Sequence, residues 1–538
     1  MASGTPSSSS VSPSAARPTN RGRIFAAMAK MASATFLSRI LGLIREQLMA
    51  AFFGAGAMMD IFLVAYRIPN ILRDLFAESN FTAAFLPIFT EERQKDPQAA
   101  RRLLWSTFCL LGLITLLVSG LIMIFAPQIV GFLAPSYQAI PEKMELAVRL
   151  TRIMAPLLVF VSIAALWMGA LNTLKVFFLP ALGPFCSNVM VISAILFLVP
   201  LIARQGHPSI IGVAVGVLLG GLLMGLIQLP ALIRLGQGFL GPIKLWTFNT
   251  KRIIARMGLG SMAVAASEIN VIINTMLATS IGVGAVSWLN YGFRVFQLPV
   301  GVFGIALANS NLVHFADHWK AGRKSEALEC LQVSYVFLWA ILLPSAIFLA
   351  IFAQPLFHIL FERGYFDWSA TQHCAEVFCV YLIGLPAYGI YKVTTPVFYV
   401  LDKPKIPVFT AIFSIFMNII FCVTLAPRYG VIILAAGIAL TAILNAGLQL
   451  ICLIRHLALG RTFFIAGRLG KILAAGTVMA GLTWVERSYF NFTSGLLVKI
   501  GFFCAAAAVS GGSYLLLLSM FGEKILRLNF RHHGHFKA

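Results

Sequence analysis

The sequence predicts an all-α polytopic membrane protein with about 14 transmembrane helices, arranged as two six-helix lobes plus two C-terminal helices. Hydrophobic residues make up 59% of its 538 residues, and charged residues only 11%, whereas a soluble domain has about 25% charged residues. Apolar runs of spanning length follow one another along the chain, and part of the pattern repeats. The net charge of +22 lies mostly in short loops and tails. It therefore indicates topology and contact with anionic membrane lipids rather than with nucleic acid.

Residues 1–22 are rich in Ser, Pro and Thr and end in basic residues. Because they lack an apolar core, they do not resemble a cleavable signal peptide, and we expect a disordered cytoplasmic tail. The remaining chain is predicted to divide into an N-lobe at 23–234, a C-lobe at 235–456, two further helices at 457–521, and a basic cytoplasmic tail at 522–538.

The apolar segments predict fourteen membrane-spanning helices. The second segment is too long for a simple span, and Pro69 predicts a break at Ile68 because proline removes a backbone donor and disfavours helix before it. The segments cover roughly 29–53, 58–90, 103–133, 144–172, 180–203, 208–233, 253–280, 284–316, 328–354, 370–400, 405–426, 430–454, 470–486 and 495–521.

Loop charge predicts the orientation. Alternate loops are rich in Lys and Arg, as around Arg101, Lys175, Lys251 and Lys403, whereas the other loops carry few cations. Since basic loops stay in the cytoplasm, both termini are expected there.

An internal repeat relates the two predicted lobes. Gly54-Ala55-Gly56-Ala57 leads to Arg67, and Gly282-Val283-Gly284-Ala285 leads to Arg294, at an offset of about 228 residues. The same offset relates Lys175 to Lys403. A repeat of six helices gives both copies the same orientation, so the pseudo-two-fold axis should lie along the membrane normal, as in transporters that rock around a central site.

The stretch from Ser38 to Phe81 combines apolar helices with many charges. A charge at the bilayer centre costs roughly 2.5–3.5 kcal/mol even on insertion scales, so these side chains are expected to face a wet cavity or one another. By default such charges mark a transport pathway; the alternative is an ion-pair network that only locks helices together. The charged residues are Arg39, Arg45, Glu46, Asp60, Arg67, Arg73, Asp74 and Glu78.

Arginines converging at mid-membrane predict an anionic ligand, because guanidinium groups bind phosphate oxygens bidentately. The repeat places Arg294 opposite Arg39, Arg67 and Arg73 across the lobe interface. Asp60 is predicted to balance Arg67 or Arg45 when one gate is closed.

No catalytic constellation is present: the sequence contains no Gly-rich phosphate loop, no HExxH and no GxSxG. None of the eight cysteines forms a CxxC pair, so neither a metal site nor a disulfide framework is indicated. We therefore expect neither an enzyme nor a cofactor.

The motifs SRILGLIRE, FGAGAMMDIFLVAYRIPNILRDLFAE, GALNTLKVFFLPALGP and FYVLDKPKIPV resemble the MurJ/MviN family of lipid II flippases in the MOP exporter superfamily. The resemblance covers essentially everything after the N-terminal tail. It implies two six-helix lobes around a cationic cavity, and a groove lined by the last two helices for the polyprenyl tail. It also implies a bacterial inner-membrane protein that moves lipid II outward by alternating access.

The resemblance also carries over particular residues. Required arginines of the family fall on Arg39, Arg45, Arg73 and Arg294, its acidic residue near the end of helix two falls on Asp60, and Ser38 and Glu78 match family positions. Some members bind sodium through an Asn and an acid four residues later; here Asn418 is followed by Cys422. Asn418 is thus only a weak sodium candidate, and coupling to sodium or to the membrane potential stays open.

The function expected from this reading is translocation of lipid II, the undecaprenyl-pyrophosphate-linked peptidoglycan precursor, in cell-wall biogenesis. The alternatives are an exporter of another polyprenyl-linked oligosaccharide, an exporter of cationic drugs, a membrane glycosyltransferase, or a non-transporting scaffold of cell-wall synthesis. Drug export would favour an acidic cavity, and a glycosyltransferase would need acidic metal ligands or a base. Cell-wall synthesis or division proteins are further candidate partners.

Overall fold

The computed structural model describes residues 20–76, 79–301, 305–457 and 466–522. Residues 1–19 and 523–538 of the predicted tails and Glu78 lie outside these residues, whereas 20–22, predicted as part of the N-terminal tail, belong to a helix. All regular structure in the described part of the chain is helical, which confirms the predicted all-α fold class.

The N-terminal half begins with a long, polar-ended helix and a pair of shorter helices. Its helices are α1 (Asn20–Phe53), α2 (Ala57–Phe76), α3 (Ser79–Lys95), α4 (Pro97–Ile124), α5 (Ala126–Leu133), α6 (Pro141–Met154), α7 (Leu157–Thr173), α8 (Phe178–Ala181), α9 (Gly183–Ser193), α10 (Val199–Arg204), α11 (Ile210–Leu226) and α12 (Leu229–Leu232).

The C-terminal half has nine helices in its described residues and is followed by two more. Its helices are α13 (Phe248–Ile281), α14 (Ala285–Pro299), α15 (Ile305–Lys320), α16 (Lys324–Ile351), α17 (Ala353–Phe361), α18 (Trp368–Ile383), α19 (Leu385–Val400), α20 (Lys405–Tyr429) and α21 (Val431–Leu457), then α22 (Ala466–Ser488) and α23 (Leu496–Met520).

Eight helical stretches in the described residues are long and apolar enough to cross a membrane, and the bent pair α18–α19, with an angle of 47°, makes up to nine. The other five predicted spans correspond to α1, α2–α3, α13, α14–α15 and α22, which are helical but do not meet the same criterion. The helix count is thus consistent with fourteen.

The backbone carries an independent mark of the repeat. Among the described residues, only two that are not glycine have positive φ: Lys175 at 62° and Asp402 at 54°. They lie at the α7–α8 and α19–α20 turns, at nearly the repeat offset seen in the sequence. Residues with side chains seldom adopt this conformation, so its recurrence at matching turns supports a common origin of the two halves.

The break predicted at Ile68 is wrong. Helix α2 continues through Pro69 to Phe76, and α3 starts at Ser79. Proline costs one hydrogen bond and distorts a helix, but in a membrane protein neighbouring helices can compensate for the lost bond. The charged residues of α2 thus stay on one helix.

Apolar packing joins the halves and the terminal helices. One large core includes Val64 of α2, Phe296 of α14 and Phe378 of α18. A separate core joins α22 and α23 to α16 and α17 through residues such as Ile472, Tyr514 and Phe352. The last two helices therefore dock on the C-terminal half.

Polar contacts also join the halves near the C-terminal end of α3. Asn249 donates a hydrogen bond to Glu92, 2.8 Å away, and Arg252 lies 3.5 Å from Glu91. Lys95, followed by Arg252, lowers the pKa of the exposed Glu91 carboxyl, so this carboxylate stays charged where α3 meets α13.

Candidate functional site between the two halves

The predicted arginines come together where α1 and α2 face α14. Arg45 donates to Oε1 of Glu46 at 2.6 Å and to Oδ1 of Asn188 at 3.0 Å. Asn188, on α9, donates in turn to the backbone carbonyl of Ser38 at 3.1 Å. Asn188 therefore fixes both the guanidinium and the turn of α1 that carries Ser38 and Arg39.

Two arginines reach across the interface between the halves. Nε of Arg294, on α14, lies 3.7 Å from Oε1 of Glu46, on α1. Arg39, on α1, reaches toward the other half. Its Nη1 would lie 3.6 Å from a Cβ atom placed on Gly301. The Arg294 side chain is 47% exposed and that of Glu46 only 12%. Glu46 is thus a shared, largely buried counterion, whereas about half of the Arg294 side chain stays exposed.

Arg67 and Arg73 extend the cluster along α2. Both Nε and Nη2 of Arg73 donate to one oxygen of Asp74, at 3.1 and 2.8 Å. Nε of Arg67 is buried without a hydrogen-bond partner, and Glu268 and Arg294 act electrostatically on this side chain. Buried donors are usually satisfied, so the unpaired Nε of Arg67 is an exception within the cluster.

Asp60 is not paired with an arginine in this structure, contrary to the prediction. Its Oδ2 accepts from the backbone N–H of Gly284 at 2.5 Å, and its Oδ1 accepts from the N–H and the hydroxyl of Ser287 at 2.8 and 2.6 Å. These groups form the start of α14, where unpaired N–H groups and the helix dipole favour a carboxylate. The carboxylate of α2 therefore caps a helix of the other half.

Backbone contacts around Asp60 close the same end of the bundle. The N–H of Tyr365 donates to the carbonyl of Ala51 at 2.9 Å. Gly54 and Gly364 have φ of 65° and 59°, and a Cβ on either would clash with the carbonyl of Tyr365 or Ala51 respectively. We name this region the turn-end clasp; it comprises Ala51, Gly54, Asp60, Gly284, Ser287, Gly364 and Tyr365.

The side chain of Asn418, the weak sodium candidate, is hydrogen-bonded to its protein neighbours. The Asn418 amide donates to Oδ1 of Asn270, and its oxygen accepts from the Cys422 thiol at 3.1 Å. A hard cation prefers several free oxygen ligands, and here the amide oxygen is engaged and the next turn supplies sulfur. The described residues also contain no group of three or more His, Cys, Asp or Glu side chains suited to a metal ion.

The sequence analysis did not identify two residues of the site, Ser287 and Asn188. Ser287 follows the GVGA turn by two residues, and its role could have been inferred by asking what caps α14 opposite Asp60. Asn188 carries no local signal, because its partners are about 143 and 150 residues away in sequence. Glu78, predicted beside the arginines, lies outside the described residues.

A helical bundle of two halves, with a cluster of charged side chains where they meet, defines the class: a polytopic membrane protein of the MOP exporter fold. A multidrug-resistance MATE family transporter of the MOP superfamily, in an inward-facing conformation, aligns with a TM-score of 0.62 at 15% identity, covering 80% of this chain and 98% of its own. A lipid II flippase MurJ in an inward closed conformation aligns with a TM-score of 0.76 at 24% identity, covering 92% and 99%. These likenesses show the shared fold.

Sequence comparison gives the particular family. The family model "Lipid II flippase MurJ" matches residues 49–503. The lipid II flippase MurJ of Burkholderia cenocepacia is 34% identical over 430 residues, which cover 79% of this chain and 82% of the relative. A probable lipid II flippase MurJ of Buchnera aphidicola is 29% identical over 507 residues, covering 92% and 97%. The chain belongs to the MurJ family of lipid II flippases and is a polytopic inner-membrane protein.

Proposed function

We propose that the chain translocates lipid II across the inner membrane by alternating access, as part of peptidoglycan biosynthesis. The observation that carries this proposal is the cluster of arginines from both halves around one shared, largely buried acid, Glu46. Three described acids, Glu46, Asp74 and Glu268, face five arginines of α1, α2 and α14. The cluster therefore retains positive charge suited to a pyrophosphate dianion.

The arginines then have distinct roles. Arg39, Arg73 and Arg294 keep exposed or half-buried guanidinium groups and contact the phosphate oxygens. Arg45 is held between Glu46 and Asn188, so it supplies a fixed positive charge. Arg67 offers its unused Nε, and Ser38 acts through its carbonyl, which orients this turn of α1. Glu46 keeps Arg45 and Arg294 together until the dianion replaces it as their partner.

The turn-end clasp is the gate of this cycle. We assign the clasp to the periplasmic side and both termini to the cytoplasm, on the loop-charge asymmetry. With the clasp closed, the arginine cluster is accessible only from the cytoplasm. Release into the periplasmic leaflet requires Asp60 to leave the start of α14, and an arginine such as Arg67 or Arg45 is then a candidate partner.

The terminal helices complete the substrate path. Helices α22 and α23 dock on α16 and α17, yet keep exposed apolar side chains such as Leu473, Val478, Leu497 and Leu516. We propose that this surface accommodates the polyprenyl tail while the pyrophosphate occupies the arginine cluster.

Reconstitution into liposomes with labelled lipid II tests the function. The expected result is appearance of lipid II in the opposite leaflet, reduced by Arg294→Ala and unchanged by Arg149→Ala, an exposed arginine of α6. Parallel assays with and without sodium and a membrane potential identify the driving force. If another polyprenyl-pyrophosphate oligosaccharide is moved and lipid II is not, the alternative substrate class is correct. If neither is moved, the scaffold alternative gains support.

A further inference from the structure

An apolar cavity lies away from the arginine cluster, between the two halves, where α3, α4 and α13 meet. It has a volume of about 320 Å³, within the range of roughly 300–1,000 Å³ that small-molecule sites occupy. Helices of both halves form its wall. The lining residues are Phe81 of α3, Thr107, Leu110, Leu111 and Ile114 of α4, and Thr250, Ile253, Ile254, Met257 and Gly258 of α13.

Water is a poor occupant of this cavity. The only polar side chains in its lining are two threonines, and both hydroxyls already donate to backbone carbonyls: Thr107 to Leu103 at 2.8 Å, and Thr250 to Leu245 at 3.0 Å. A buried water needs about two to four polar partners. An empty cavity would forfeit dispersion contacts along its wall. Within a membrane, the apolar material at hand is a lipid chain.

The mouth of the cavity carries cations and aromatic rings. Arg101 and Arg102 lie near the N-terminal end of α4, and Lys251 and Arg252 lie near the N-terminal end of α13. The cavity extends from these two ends along both helices. At 1.5 Å per residue, Gly258 lies about 9 Å deeper than Arg252. Exposed aromatic rings at the same level are those of Phe239, Trp246 and Phe248.

The charges at this mouth are only partly neutralised. Arg252 lies 3.5 Å from Glu91, whereas Arg102 and Lys251 are exposed and make no ion pair with another described residue. Aromatic rings beside cations mark the level of lipid headgroups in membrane proteins. The collar, defined as Arg101, Arg102, Lys251 and Arg252, is therefore suited to a lipid phosphate.

We propose that this cavity holds one acyl chain of an anionic phospholipid from the cytoplasmic leaflet, with the phosphate on the collar. The site is separate from the arginine cluster. Because its wall belongs to both halves, the bound lipid stabilises the arrangement of the halves seen here.

Gly258→Leu tests the chain site directly. A Cβ on Gly258 meets nothing within 4 Å, so leucine extends into the cavity without displacing neighbouring atoms. The matched control is Gly120→Leu on α4, where a Cβ also meets nothing and which does not line the cavity. Native mass spectrometry of the full chain, with phosphatidylglycerol or phosphatidylcholine of identical acyl chains, counts the lipids retained; thermal unfolding measures the stabilisation by each lipid.

We expect wild type and Gly120→Leu to retain one tightly bound phosphatidylglycerol that Gly258→Leu loses, together with its thermal stabilisation. Equal retention by all three proteins would overturn the chain site. Undecaprenyl phosphate is included as a competitor. If it displaces phosphatidylglycerol from wild type but not the reverse, the occupant is a polyprenyl chain and the phospholipid assignment is wrong.

The collar is tested by Arg102→Gln with Lys251→Gln, which leaves the cavity wall intact. The control is Lys403→Gln with Lys405→Gln, two cations of another basic loop. We expect the first pair to weaken phosphatidylglycerol binding about ten-fold, the loss of a charge-assisted contact, and to leave phosphatidylcholine unchanged. Unchanged preference for phosphatidylglycerol would reject the headgroup site, even if Gly258→Leu failed to fold.

Discussion

The turn-end clasp and the arginine cluster join the same two halves of the molecule, yet they use different parts of the chain. The clasp is mainly backbone: glycines with positive φ let carbonyls and N–H groups of α1, α14 and the α17–α18 loop touch, and one carboxylate caps α14. The cluster consists of long side chains with unequal contacts, from 2.6 Å between Arg45 and Glu46 to 3.7 Å between Arg294 and Glu46.

This difference separates a gate from a binding site. Backbone contacts that tolerate no Cβ are either made or broken, so they suit two discrete states. Flexible cations around one shared acid can exchange that acid for a ligand without movement of the backbone. Changes in the clasp should therefore affect the equilibrium between states, and changes in the cluster should affect affinity.

The largest effect is expected from Gly54→Ala. Alanine at φ of 65° costs roughly 1–2 kcal/mol, and its Cβ would clash with the carbonyl of Tyr365. Since about 1.4 kcal/mol is a factor of ten, the closed state should become roughly ten-fold or more rarer and transport should fall accordingly. Gly56→Ala in the same turn is the control, because a Cβ there meets nothing within 4 Å. Flipping in liposomes is the measurement; equal rates for both variants would refute the closed clasp.

An effect of comparable size is expected from Arg294→Ala. Losing one charge-assisted contact should weaken lipid II binding by about ten- to a hundred-fold, with the protein still present in the membrane at near-normal level. Arg294→Lys should restore part of the lipid II affinity. Lysine keeps the positive charge but cannot donate the two parallel hydrogen bonds of a guanidinium.

The double change Arg294→Ala with Glu46→Gln decides between binding and helix locking. If Arg294 only neutralises Glu46, the single change leaves this buried acid with Arg45 as its one described ion-pair partner, and any drop in protein level comes from that weakened pairing. The double change would then restore level and transport together. A restored protein level without restored lipid II binding is the result expected for a pyrophosphate site.

Much of this comparison was accessible from the sequence, but not all of it. Charges in apolar helices and the repeat of GAGA and GVGA predicted where the halves meet, because desolvation makes such charges rare. The partner of Asp60 was missed because a sequence pattern pairs acids with basic side chains. The backbone N–H groups at the start of a helix are present for almost any residue type, so the sequence does not mark them as partners. Asn188 was missed because a single amide becomes informative only when distant helices are placed together.

A smaller effect is expected from Asp60→Asn. The amide keeps one acceptor oxygen for the start of α14 but loses the charge that the helix dipole favours, so closure should weaken by about ten-fold or less. A single cysteine at Gly56, in a background without the native cysteines, should react faster with an impermeant thiol reagent from the periplasm. Ser287→Ala removes only the hydroxyl donor and should act in the same direction, less strongly. Wild-type labelling and transport in Asp60→Asn would show that the clasp is not the gate.

The smallest effect, and the finest test of the division between gate and site, is expected from Asn188→Ala. Arg45 would keep its contact with Glu46 but lose the one that fixes its second nitrogen, and the Ser38 carbonyl would lose its donor. A hydrogen bond of this kind contributes about 1 kcal/mol, so lipid II affinity should fall about five-fold. Because Asn188 touches no part of the clasp, labelling of a cysteine at Gly56 should not change. Ser193→Ala on the same helix serves as the control. A change in labelling without a change in affinity would mean that α9 acts on the gate, and the separation between the two regions would not hold.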